Sequence, residues 1–286
     1  MELGEGGWAL VLGPGGPVGT AWLTGLAAGL RRAGMDPAAA DVIVGTSAGA
    51  IAGAAIATGR DLAELAELPL SDIPRAAPDG SVMARVFEIG RASDLDPDEI
   101  RRRIGRLALE AEALTEERHR ASMEFLVGRS AVAGQPGGAS PRNQTDEWPS
   151  GRLLITAVDV ESGKPVVWDG TSGVPLTAAV AASSAAPGFA EPVTIGGRRY
   201  MDGAFGGGSN VGLAKGAGAV VLVEPMAHMS GGAEADVRIV PDEGALEAFG
   251  ENVGDLTRWA PVYREGFRQA AEAAERIRPV AGVPGG

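Results

Sequence analysis

The sequence predicts an α/β fold: a mostly parallel central sheet with helices on its faces in three layers, plus a helical insertion. Two observations carry this. Short apolar runs alternate with glycine turns and small-residue helices through the first sixty residues. The same texture resumes near residue 153, after a charged, helix-patterned middle. The 286 residues suit a single domain, 1–286, with residues 60–150 laid over the sheet as an insertion and candidate lid.

Each element follows from its residues. Trp8 to Leu12 reads as a buried strand and "GPGGPVG", residues 13–19, as a turn. Thr20 to Ala33 reads as a helix, with Trp22, Leu23, Leu26 and Leu30 at helical spacing and Gly34 as its stop. Asp41 to Val44 is a second strand, and Ala48 to Thr58 a helix of small residues ending near Gly59. In the middle, Leu62 to Leu68 suggests a short helix before a Pro-rich connection. Asp96-Pro97-Asp98-Glu99 is a helix start, with Asp96 as cap and Glu99 able to reach back; that helix runs to about Glu112. Thr115 can cap another, running to Val127. Residues 130–151 are rich in Gly, Pro and Ser and read as a loop. Beyond it, Leu153 to Val160 and Pro165 to Trp168 form a strand pair. Leu176 to Ala186 is a helix, and Arg198 to Met201 and Ala219 to Glu224 are strands. Ala245 to Ile277 reads as largely helical with Pro261 as a break, and residues 279–286 as a frayed tail.

Composition excludes several functions. Net charge is −12 with no basic tract, which argues against nucleic acid as a partner. Weak repulsion from anionic membranes means that any lipid contact rests on local apolar surface. There is no cysteine, so disulfides and thiolate metal sites are excluded, and two distant histidines, His119 and His228, do not suggest zinc. Gly6 to Leu30 is uncharged, but it lacks a basic start and carries a glycine turn, so neither a signal peptide nor a spanning helix is expected. The expected location is the cytoplasm, with peripheral contact to membrane an option.

Chemistry gathers at three places. "GTSAG", between a strand and a helix, has the form of a nucleophile elbow, with Ser47 on a strained turn and Gly45 and Gly49 giving the backbone room. The competing reading is a helix cap by Thr46 or Ser47. The "GPGGPVG" loop can aim the amides of Gly15 and Gly16 at an oxyanion. It also half-matches a dinucleotide fingerprint through Gly13 and Gly15, with Val18 in the third position and Asp36 or Asp41 near the place of a ribose-binding acid. A plain tight turn is the third alternative. For the base, Ser47, Asp202 and His228 obey the chain order of a Ser-acid-His triad. Equally, Asp202 in "MDGA" could accept the serine proton directly if its surroundings raise its pKa. His119, on a charged helix, is expected on a solvated face.

Together, "VGTSAGA", "VAASSAAPGFAEPV" and "YMDGAFGGGSN", preceded by the glycine loop, resemble the patatin-like phospholipase family of lipid acyl hydrolases over roughly residues 8–226. The resemblance implies the family's fold, Ser47 as nucleophile, Asp202 as base of a dyad without histidine, and no cofactor or metal. Gly15 and Gly16 fall at the family's oxyanion-hole glycines; Ala48, opening the next helix, can add its amide. Gly13, Gly19, Gly45, Gly49 and Gly203 are the accompanying motif glycines. The implied partner is a lipid or other ester, with transient membrane-surface contact; oligomeric state stays open. Three positions depart from the family pattern: Pro14 and Ala204 replace glycines, and Val18 replaces a basic residue. Leu107, Leu114, Met123, Phe125 and Leu126 are candidates for an acyl groove, with ordinary packing of the insertion against the domain as the competing reading for each.

Overall fold

The computed structural model describes residues 7–67, 80–92, 94–128, 146–227 and 233–282. It opens with β1 (Trp8–Leu12), α1 (Gly16–Arg32), β2 (Val42–Gly45) and α2 (Ala48–Ala57). The insertion supplies a 3-10 turn (Leu62–Leu65), α3 (Gly80–Gly90), α4 (Pro97–Glu110) and α5 (Glu116–Val127). Then come β3 (Arg152–Asp159), β4 (Pro165–Trp168), α6 (Leu176–Ser183), β5 (Val193–Ile195), β6 (Arg198–Asp202) and the short α7 (Ala204–Gly207). The chain closes with β7 (Ala219–Val223), β8 (Val237–Ile239), α8 (Glu243–Phe249) and α9 (Trp259–Ala281).

The strands form one sheet, hydrogen-bonded along the path β5-β6-β3-β2-β1-β7-β8, with β4 paired to the other edge of β3. The β1–β2, β2–β3, β1–β7 and β7–β8 pairs are parallel; the pairs involving β4, β5 and β6 are antiparallel. Ile155 of β3 is partnered by both Gly45 and Trp168, and Ala157 by both Val166 and Asp202. A strand has two edges, so β2 and β6 meet the same edge of β3 in succession. Their ends therefore lie two residues apart, which places the chain after Gly45 beside Asp202.

Side chains alternate across the sheet. Trp8, Leu10 and Leu12 join the main core with α1, α2, α6 and α9, while Ala9, Val11, Val42 and Val44 pack on the other face with Ala214 and Leu222. On that second face α3 and α4 cover Val158, Val160 and Met201. The layers are thus unequal, with the thicker one on the α1–α9 side. There α1 and α9 meet closely: a Cβ on Gly25 would lie 2.1 Å from the Tyr263 oxygen, and one on Gly266 2.2 Å from that of Trp22. Among the described residues no helix is long and apolar enough to cross a membrane.

Several boundaries differ from the expectations. The first helix starts inside the glycine loop, at Gly16, because Pro17 is already suited to a first turn. α3 occupies part of what read as a Pro-rich connection, and β5 and β8 had no strand signal, being three residues each. Asp96 caps α4 as expected, accepting the Glu99 amide at 3.0 Å, but the Glu99 carboxylate turns to Arg102 and Arg103 instead of reaching back. The break in the last helical stretch is at Gly250, whose φ is +65°, and not at Pro261, which sits in the first turn of α9, where no intrahelical N–H bond is lost. α9 also continues through Pro279 to Ala281, so the first part of the expected tail is helical, and residues 283–286 lie outside the described residues. Most of the expected loop at 130–151 lies outside the described residues.

Candidate active site

The turn between β2 and α2 holds Ser47 at φ 55°, ψ −117°; among the described residues only Asn210 shares a positive φ without being glycine. Such a conformation is strained and persists only when its surroundings impose it. They do: a Cβ on Gly49 would sit 1.9 Å from the Leu12 oxygen, and one on Gly45 2.7 Å from the Gly49 oxygen. Both glycines are required by close backbone approach. Neither Thr46 nor Ser47 caps α2; Ser47 turns away, and Thr46 Oγ1 lies 2.9 Å from Thr156 Oγ1. The cap reading of this motif does not hold.

Ser47 Oγ donates to Asp202 Oδ2 at 2.6 Å, with both residues buried. The register of β2 and β6 on β3 brings them together. Asp202 Oδ1 accepts the Ala204 amide at 2.8 Å. Burial pushes the Asp202 carboxyl up to about 6, against the lowering effect of the hydrogen bonds from Ser47 and Ala204. Gly203 must lack a side chain, since a Cβ there would lie 2.3 Å from Thr156 Oγ1.

The glycine loop packs beside this pair. Gly16 has φ +59°, and a Cβ on Gly15 would lie 2.7 Å from both Gly19 Cα and Pro225 Cβ. Gly13 donates to the Val223 oxygen at 2.9 Å. Val18 is fully buried and its amide reaches the Val253 oxygen at 3.2 Å, so an apolar residue fits where the resemblance leads one to expect a base. Gly15, Gly16 and Ala48 line the same cavity as Ser47 and Asp202, and no acceptor among the described residues takes their amides. Asp36 and Asp41, the acids of the dinucleotide reading, are committed locally: Asp36 accepts the Ala38 amide at 3.0 Å and Asp41 that of Trp8 at 2.8 Å.

The cavity has a volume of about 520 Å³. Leu114, Met123, Phe125 and Leu126 line it as expected; Leu107 instead packs with Val158 and Met201 beneath α4. His228 lies outside the described residues. His119 reverses its expectation. It is buried at 6 % exposure and also lines the cavity. Its Nε2 sits 2.9 Å from the Ala181 oxygen. Burial holds its pKa down at about 4, so the ring is neutral near pH 7.

Three further polar residues surround the pair, Ser183, Asn210 and Thr156. Ser183 Oγ accepts the Ser47 amide at 3.0 Å. Asn210 Nδ2 donates to Thr46 Oγ1 at 3.0 Å and to Thr156 Oγ1 at 3.3 Å, behind the dyad. The only sequence signals were the paired serines ending a small-residue helix and the Asn closing "GGGSN".

A family model for patatin-like phospholipases matches residues 10–215. VipD from Legionella pneumophila aligns with a TM-score of 0.51 at 14% identity, over 96% of this chain and 67% of VipD. The type III effector protein ExoU aligns with a TM-score of 0.45 at 17% identity, over 98% of this chain and 54% of ExoU. At these identities the likeness to VipD concerns the fold alone. No curated protein matches the chain in sequence.

Proposed function

Because the chain belongs to the patatin-like phospholipase family, we propose that it is a lipid acyl hydrolase that cleaves carboxylic esters through Ser47 and Asp202. The observation that carries this reading is the 2.6 Å Ser47–Asp202 hydrogen bond beside a cavity walled by apolar side chains. Asp202 takes the Ser47 proton as Oγ attacks the ester carbonyl. The oxyanion forms against the amides of Gly15, Gly16 and Ala48, at the starts of α1 and α2, where the helix dipoles favour negative charge. Collapse expels the alcohol, which recovers the proton from Asp202 and leaves an acyl-enzyme on Ser47. Asp202 then deprotonates water for the second half-reaction. The acyl chain lies along Leu114, Met123, Phe125 and Leu126. Phe125 is 43% exposed, which suits contact with aggregated lipid despite the acidic chain.

The test is hydrolysis of p-nitrophenyl acyl esters and of phospholipid vesicles, with fluorophosphonate labelling alongside. Ser47→Ala and Asp202→Asn are expected to lose at least about 10³-fold in kcat, and Ser47→Ala to lose labelling. His228→Ala is expected to retain activity. A dead His228→Ala would replace the dyad with a triad, and a wild-type protein that neither labels nor turns over any ester would remove the enzyme reading.

A further inference from the structure

The last turn of α6 and the two residues that follow it hold the backbone of both dyad residues. Ser183 Oγ accepts the Ser47 amide at 3.0 Å. The Ala185 oxygen accepts the Asp202 amide at 3.0 Å, and the Ser183 oxygen accepts that of Gly203 at 3.2 Å. Ser47 depends on such support, because its positive φ is strained and its amide has no place in the α2 ladder. The geometry of the dyad is therefore only as good as the placement of this turn.

One side chain from the insertion holds the turn from the other side. His119 of α5 meets the Ala181 oxygen at 2.9 Å and Ser184 Oγ at 3.2 Å. A carbonyl only accepts, so Nε2 carries the proton and donates it to Ala181. Ala181 O is one of the final carbonyls of α6, and the bonds it accepts from Ser184, from the amide at 3.3 Å and the hydroxyl at 3.4 Å, are longer than the one from His119. α5 is itself anchored at its start. The Glu116 amide donates to Glu191 Oε2 at 3.0 Å, and the Glu116 carboxylate accepts from the amide and hydroxyl of Thr194. The same helix supplies Met123, Phe125 and Leu126 to the cavity wall.

We propose that His119 is a positioning residue for the reaction: its Nε2–H bond to Ala181 fixes the last turn of α6, and through Ser183 and Ala185 fixes the backbones of Ser47 and Asp202. This rests on the dyad reading for its effect on catalysis, but the geometric coupling stands apart from it. α5 then has two tasks, as a wall of the acyl cavity and as a clamp on the groups that do the chemistry.

The test compares His119→Leu, which removes the donor, with His119→Gln, whose amide can present an N–H near the same place. Val127→Ala loosens α5 packing at a buried position and leaves the donor in place. The readouts are kcat and KM on a p-nitrophenyl ester and the NMR shift of the Ser47 amide. A misplacement of about 1 Å at reacting groups can cost about 10²-fold in rate. His119→Leu is expected to lower kcat about 10- to 100-fold with KM nearly unchanged, and to move the Ser47 amide shift. His119→Gln is expected to restore most of both, and Val127→Ala to leave both near wild type. An unmoved amide shift in a folded His119→Leu overturns the proposal, as does a loss shared equally by Val127→Ala. If wild type proves inactive while the shift moves in His119→Leu and returns in His119→Gln, the hydrolase reading falls and the coupling stands.

Discussion

Burial decides how Asp202 behaves. An aspartate in water is a weak base for a serine hydroxyl, and one held near 6 is a better one. With Asp202 as base, kcat/KM should fall as pH drops below about 6, and a pH–rate profile with its acid limb near 4 would contradict this. The same shift has a stability consequence. Below the unfolded value of 3.8 both states are protonated and nothing is lost. As pH rises to about 6 the unfolded chain ionises first, so native stability declines by roughly 3 kcal/mol and then levels off. Asp202→Asn should therefore be more stable than wild type at pH 7 and similar to it below pH 4, read by urea unfolding at both values. His119 has the opposite sign. Its folded value is near 4 against 6.5, so it costs stability as pH falls through that window. The difference in unfolding free energy between His119→Gln and wild type should accordingly grow as pH drops from 6.5 to 4.

At the scale of elements, two helix starts show what carries a cap. Thr115 precedes α5 but makes no side-chain cap bond; Glu191, from beyond α6, takes the Glu116 amide. Thr115→Ala should be nearly neutral, whereas Glu191→Ala should cost about 1 kcal/mol, measured by thermal or urea unfolding. The Ser47 turn is less forgiving. Gly49→Ala would force a methyl into the Leu12 carbonyl and should abolish soluble expression or labelling of Ser47 by fluorophosphonate. Such turns were legible because the residues that permit them are neighbours in the chain. The burial of His119 was not, because α5 is charged around much of its surface and its contact with α6 spans 62 residues of sequence. Similarly, the Glu99 carboxylate had three arginines on its own helix, Arg102, Arg103 and Arg106, to choose over a capping role.

Across the whole molecule, the family match ends at residue 215, yet the fold does not. β7 lies between β1 and β8 in the sheet, and α9 covers α1, with Trp22 Nε1 donating to Gln269 Oε1 at 2.7 Å. A chain truncated after residue 215 should thus show no cooperative thermal transition by circular dichroism, since β1 would gain an open edge and α1 an uncovered face. The fold class was legible from the βα texture of the first sixty residues. The strands β5 and β8 were not, since three residues hold too few alternations to register a period.

By itself the sequence determined what is local: which turns need glycine, which segments alternate or recur at helical spacing, and which side chains are available as nucleophile and base. Tertiary structure decided which of those groups meet. The Ser47–Asp202 contact spans 155 residues and the Ser183 support 136, and both depend on where β2 and β6 fall along one edge of β3. Burial, and with it the opposite shifts of Asp202 and His119, is likewise a property of the packed whole, because a local pattern states how polar a segment is but not what will cover it.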